Sequence, residues 1–231
     1  MKGKPRKVKR SKTNFTRAVR TKFKILASFI QIISGYENIL NIRFPPAFEG
    51  FSRWLSSLVN LDALKLGSVD CFVATSFYTK LLFSTLMPLF MVACIFLYMS
   101  AAKRCAMEPQ KKRRIHNNSI ELFLGLTFLV FASVSTTIFD TFNCKTFGDD
   151  PTRYLALDQS LDCDDPVHKF FTMYASMMVL LYPIGIPMLY VYLLVSHRHQ
   201  IQAKDRAADS SLIKISFLWE MYEPRMWWFE F

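Results

Sequence analysis

The chain has 231 residues, 52% of them hydrophobic and 22 of them Phe, with 29 Lys and Arg against 18 Asp and Glu. Its apolar residues fall in long blocks instead of alternating with polar ones at helix or strand period, which excludes a disordered chain and an ordinary soluble domain. Five Cys are too few for the disulfide scaffold of a small secreted domain. The positive charge is also confined. Residues 1–24 hold eleven basic side chains and no acid, whereas the rest of the chain carries eighteen of each sign, so a wholly basic nucleic-acid-binding fold is excluded.

The basic tail (1–24) comes first. Polybasic clusters beside a membrane segment gain about 1 kcal/mol per Lys or Arg near anionic headgroups. The tail has one aromatic residue, Phe15, before Phe23 and no base-reading motif. Anionic lipid is therefore the expected partner, with no nucleic acid. Residues 25–42 follow, with twelve uncharged residues before Glu37. They read either as a first transmembrane helix or as an interfacial helix lying in the headgroups. An outer segment (43–72) starts with Pro45-Pro46, which cannot continue a helix. Phe48, Phe51, Trp54, Leu55 and Leu58 then recur at helical spacing, as in a short helix at the outer interface.

Three stretches satisfy the requirement for about 20 apolar residues across a hydrocarbon core of about 30 Å. Leu81–Ala102 gives 22 uncharged residues within a transmembrane helix placed at 73–102. Leu122–Phe139 gives 18 within 121–140, and Phe170–Ser196 gives 27 across 170–196. Soluble helices average about 11–12 residues, so three such runs in one short chain disfavour a soluble core. The loop at 103–120 carries Lys103, Arg104, Lys111, Lys112, Arg113 and Arg114 against Glu108 alone, which makes it cytoplasmic. The loop at 141–169 is acidic and extracellular. With the basic tail also inside, an even number of crossings is needed, and residues 25–42 supply the fourth. The expected fold is an all-α, multi-pass transmembrane bundle of about four crossings, in the plasma membrane, with 197–231 cytoplasmic. The closing aromatic run, LWEMYEPRMWWFEF, reads as the approach to a further membrane segment of a longer protein.

Candidate functional residues follow the same order. Cys144 and Cys163 share the outer loop, where the exterior favours a disulfide. Such a bridge contributes roughly 3 kcal/mol in the chain-entropy model; two free thiols are the alternative. Asp149, Asp150, Asp158, Asp162, Asp164 and Asp165 form an acidic cluster in that loop. Oxygen-rich clusters can hold calcium or concentrate cations at a pore mouth, but EF-hand spacing is missing and a solvated loop is favoured. Pro183, Gly185 and Pro187 interrupt the last long run. Two prolines four apart remove two backbone donors, giving either a hinge or a static packing kink. Cys94 and Cys105 read as structural, and His197 and His199 as an interfacial cap. Signatures of catalysis are missing (no GxSxG, P-loop, HExxH or GxGxxG), so no enzyme, cofactor or metal is expected.

Several phrases carry a resemblance: KFKILASFIQIIS, FPPAF with VNLDAL, STTIFDTFNC, YLALDQSLDC, LLYPIGIPMLYVYLL and YEPRMWWFE. Together they resemble the multi-pass regions of large surface proteins of oomycetes, diatoms and other protists. Those regions often follow cysteine-rich extracellular repeats and are sometimes labelled transient-receptor-potential-like. The resemblance spans roughly residues 22–231. It implies a membrane-embedded helical bundle in a channel- or receptor-like protein and no catalytic residues; a homo-oligomer is a further expectation for the chain. A non-conducting membrane anchor of a larger extracellular protein is the alternative.

Overall fold

The computed structural model describes residues 21–22, 24–32, 45, 50, 76–146, 152–203, 212–220, 223 and 226. The chain divides into a unit over Met1–Asn60 and a second over Leu61–Phe231. In the first, residues 24–32 are helical and leave Ile25, Leu26, Phe29 and Ile32 exposed. The remainder of the 25–42 segment, the Trp54 segment and the basic tail lie outside the described residues, apart from 21, 22, 24, 45 and 50.

The second unit is built on three long apolar helices, each long and apolar enough to cross a membrane. Helix α1 covers Phe77–Cys105, with Lys103 and Arg104 in its last turn, where cations offset the partial negative charge of the terminal carbonyls. Helix α2 covers Pro109–Asp140 and starts on a proline, which suits a first-turn position because its missing N–H would have no helical partner there. Helix α3 (Pro166–Val179), a π turn (Leu180–Ile184) and helix α4 (Gly185–Ser196) form the third span. This is the all-α membrane bundle the composition required.

Two boundaries change. The basic stretch expected as a loop at 103–120 is almost wholly helical. Only Ala106–Glu108 separate α1 from α2. Residues 109–120 therefore project the basic charges as a helical stem of about 18 Å below the apolar run, at 1.5 Å per residue. The local cause is Pro109 at the start, with good helix formers (Gln, Lys, Arg) after it. The acidic loop, in turn, folds as a small antiparallel sheet of β1 (Cys144–Thr146), β2 (Arg153–Leu155) and β3 (Asp158–Asp162), in the order β1-β2-β3. Cys144 pairs with Leu155 and Tyr154 with Asp162, with a bulge between Tyr154 and Leu155.

The core runs the length of the bundle. Leu81, Leu124, Val130, Val134, Ile138 and Leu194 are all closed to solvent. The opposite faces are apolar too: Phe90 is 64% exposed, Leu97 69% and Met188 65%. Bare apolar surface on this scale is tolerated against lipid, which is as apolar as the side chains. After α4, helix α5 (Arg198–Gln202) leads away. A short 3-10 turn (Ile213–Ile215) and helix α6 (Ser216–Trp219) then return to α2. Phe217 makes an edge-to-face contact with Phe128 at 5.6 Å, and the Trp219 indole N–H donates to the Leu212 carbonyl at 3.1 Å. The aromatic end thus serves the bundle as far as Trp219.

Candidate functional site

The third span is where the sequence breaks helical regularity, and the structure resolves how. Pro183 withholds the N–H that Val179 would accept, and Pro187 withholds the one due to Pro183. The backbone answers with a π turn over Leu180–Ile184, a one-turn widening that recurs at functional sites in helices. Gly185 is needed at the exit. A Cβ there would lie 3.0 Å from the Leu180 carbonyl oxygen, closer than real Cβ contacts normally come. Pro183, Gly185 and Pro187 are each half-buried, so the break faces the helix interface as well as lipid.

Three tyrosines eight residues apart (Tyr174, Tyr182 and Tyr190) lie on the inner face across this break. The Tyr174 hydroxyl is 2.6 Å from Thr85 Oγ1, and Thr85 Oγ1 donates back to the Leu81 carbonyl at 2.9 Å. The Tyr182 hydroxyl donates to the Thr85 carbonyl at 2.6 Å. Tyr190 meets Thr127 Oγ1 at 2.9 Å and the Leu124 carbonyl at 3.2 Å. Each hydroxyl is satisfied against a neighbouring helix, as burial away from water demands. The hydrophobic pattern did not reveal this ladder; the eight-residue spacing of Tyr, close to two helical turns, was the signal that carried it.

Beside the π turn lies an apolar cavity of about 270 Å³, walled by Pro88, Phe123, Thr127, Val130, Tyr182 and Gly185 among others. It is larger than the cavity of about 150 Å³ that accepts benzene in an engineered core, and just under the range of about 300–1,000 Å³ usual for drug-sized ligands. Pro88, inside α1, lines this space together with Tyr182 and Gly185 of the break in the third span. A guest here would be apolar and the size of a short hydrocarbon segment.

Between α2 and α3 the sheet is pinned by a Cys144–Cys163 disulfide with Cα atoms 6.4 Å apart, the pairing expected from the sequence. Cys94 and Cys105 are free and exposed. The acids take separate local duties. Asp158 accepts from the Ser160 amide and hydroxyl, Asp162 from the Asp164 amide at 2.7 Å, and Asp165 caps α3 by accepting from the Val167 amide. Asp164 pairs with Arg153, whose hydrogen bond holds the Asp164 carboxyl below the usual carboxylate range. Asp149 and Asp150 lie outside the described residues. Among the described residues, the potential ligand atoms that converge are those of Cys144, Cys163 and His168, not those of the acids.

His168 had no role in the sequence reading. It is 3% exposed, with Nδ1 3.1 Å from the Tyr78 hydroxyl and Nε2 3.7 Å from Cys144 Sγ. Tyr78 is held in turn by stacking on Phe171 at 4.2 Å. At the opposite end of the third span, His197 Nδ1 lies 2.9 Å from the Leu193 carbonyl, so a protonated Nδ1 donates to the last turn of α4, the capping role expected of it.

The chain matches no family model, no curated protein and no solved structure. Its functional reading therefore rests on this geometry and on the phrases quoted above.

Proposed function

We propose that this chain is the membrane-embedded region of a receptor-like, non-enzymatic surface protein of the plasma membrane, akin to the protist surface proteins it resembles. In this reading its third span pivots at Pro183, Gly185 and Pro187. The supporting observation is the coincidence of the π turn with an apolar cavity that Pro88 of α1 also lines. A span that only anchors needs neither a widened turn nor space beside it, and such breaks in membrane helices serve as hinges and binding cavities elsewhere. The disulfide-pinned sheet sits on the outer end of the same span and would pass an extracellular movement to it. The basic tail would hold anionic lipid on the inner side.

A channel is the second reading. The three apolar runs contain no charged residue, and the tyrosine and threonine hydroxyls between the helices are engaged with one another or with backbone. Conduction would therefore need several copies around a shared axis. Two measurements on the full chain in lipid vesicles separate the readings. Spin-label distances across the break, between α1 and positions on α3 and α4, should give a broad distribution that narrows in a Pro183→Ala/Pro187→Ala variant. Ion flux should stay at the level of empty vesicles. A single narrow distribution in both proteins would leave the anchor, and stimulus-independent flux would move the assignment to a channel.

A further inference from the structure

We propose that Cys144, Cys163 and His168, once the disulfide is reduced to the dithiol, form a Cys2His site for a thiophilic divalent metal ion of the zinc class at the outer end of the bundle. This inference is independent of the receptor reading. One ligand atom from each residue already lies within 4.8 Å of the others. Around a tetrahedral zinc ion, with Zn–S of about 2.3 Å and Zn–N of about 2.0–2.1 Å, a sulfur and a nitrogen ligand sit about 3.6 Å apart. Cys144 Sγ and His168 Nε2 are separated by 3.7 Å. The backbone that accepts the disulfide therefore already sets one thiolate and one imidazole at coordination spacing.

The surroundings favour the ligand form of the histidine. A ligating imidazole characteristically donates its second N–H to an oxygen that fixes its tautomer and orientation. Tyr78 supplies that oxygen: with the proton on Nδ1, His168 donates to the Tyr78 hydroxyl at 3.1 Å, and the Nε2 lone pair faces the sulfurs. Tyr78 is clamped by its stack on Phe171. His168 and Cys163 are buried while Cys144 is half-buried, so Cys144 marks the way in. The fourth position falls to water.

The exchange balances with an external dithiol as reductant. One of its thiolates attacks Cys144 Sγ, the more accessible sulfur. The Cys144–Cys163 bond breaks and Cys163 leaves as a thiolate that takes up a proton. The second thiol of the reagent then displaces Cys144 and closes a cyclic disulfide. Two electrons and two protons have passed to the protein. Binding a divalent ion releases the two thiol protons.

The test uses the full chain in lipid nanodiscs with Cys71→Ser, Cys94→Ser and Cys105→Ser, so that only Cys144 and Cys163 remain as thiols, and Co²⁺ as the probe. After reduction with dithiothreitol and its anaerobic removal, one Co²⁺ per chain should bind, with a thiolate-to-cobalt charge-transfer band and four-coordinate ligand-field bands. Zn²⁺ should bleach both, and the oxidised chain should show neither. His168→Ala should weaken cobalt binding at least tenfold, and Tyr78→Phe, which keeps the stacking ring, by about tenfold. A reduced chain without the charge-transfer band, or a folded His168→Ala chain that binds as tightly, overturns the site. If His168→Ala loses helicity, X-ray absorption of the zinc-loaded parent decides: two sulfur and one imidazole ligand support the site, and a shell without imidazole rejects it.

Discussion

The hydroxyl of Tyr182 donates to the backbone carbonyl of Thr85 at 2.6 Å, across 97 positions of sequence. The donor sits inside the π turn of the third span, and the acceptor lies three residues before Pro88 in α1. Both partners belong to places where proline has interrupted the backbone ladder. Pro88 withholds the donor due to Ser84, and Tyr182 brings a hydroxyl to the next carbonyl along. The two irregular segments are thus fastened to each other.

Tyr182→Phe removes that fastening while keeping the ring. Interhelical hydrogen bonds in membranes contribute about 0.6 kcal/mol on average and up to about 2. Thermal unfolding of the chain in detergent should fall by a few degrees, with helicity at low temperature unchanged. Equal melting temperatures would mean that the Thr85 carbonyl finds another donor.

Gly185→Ala and Gly125→Ala should separate cleanly. The first Cβ meets the Leu180 carbonyl at 3.0 Å, whereas the second meets only a Phe217 ring atom at 3.9 Å. The first substitution should destabilise by about 1–3 kcal/mol through overpacking. The second should be neutral or slightly stabilising, as Gly→Ala is where space allows. The ratio of folded protein across a denaturing detergent series measures both.

The disulfide predicts a labelling pattern. In the native, non-reduced chain Cys94 and Cys105 are free. Cys105, at the end of α1, should alkylate with a water-soluble reagent, whereas Cys94, mid-way along the apolar span, should label only with a membrane-permeant one. Cys144 and Cys163 should label only after reduction. Losing the bridge should cost about 3 kcal/mol in the chain-entropy model for a loop of this length. Peptide mapping before and after reduction reads the pattern, and equal labelling in both would remove the bridge.

Asp164 should titrate below an ordinary aspartate because Arg153 hydrogen-bonds its carboxylate. A carboxyl held low in the folded state contributes stability above its unfolded value, about pH 3.9, and loses it as pH falls through the depressed native value. The pair is on the surface, so the effect should stay within the sheet. Carboxyl resonances followed by NMR should show Asp164 returning to the ordinary range in Arg153→Gln.

Orientation is checked by glycosylation. The chain carries two acceptor sequences, Asn14-Phe15-Thr16 and Asn117-Asn118-Ser119. Asn117 lies in the basic helical stem of α2, on the cytoplasmic side by the charge rule. Neither site should carry sugar in a glycosylating membrane system, and a sequon introduced at 147–151 should. Sugar on Asn14 would mean that residues 25–42 lie flat; sugar on Asn117 would invert the bundle.

Taken alone, the sequence determined the three long membrane helices, the basic and acidic connections between them, and the break at Pro183 and Pro187. Each of these follows from a local property: a run long enough to span a bilayer, a charge bias between runs, or a residue without an N–H. Tertiary structure decided what the break becomes, because the choice between a bent helix and a π turn depends on which neighbour satisfies the freed groups. Residues 109–120 became helix because Pro109 starts a turn that continues without interruption into an apolar span, a register that charge counting does not see. The acids acquired separate duties only once β1, β2 and β3 set their spacing. His168 remained silent in the sequence because its partners, Tyr78 and Cys144, lie 90 and 24 positions away, and only the packing of α1 and β1 against the start of α3 brings the three together.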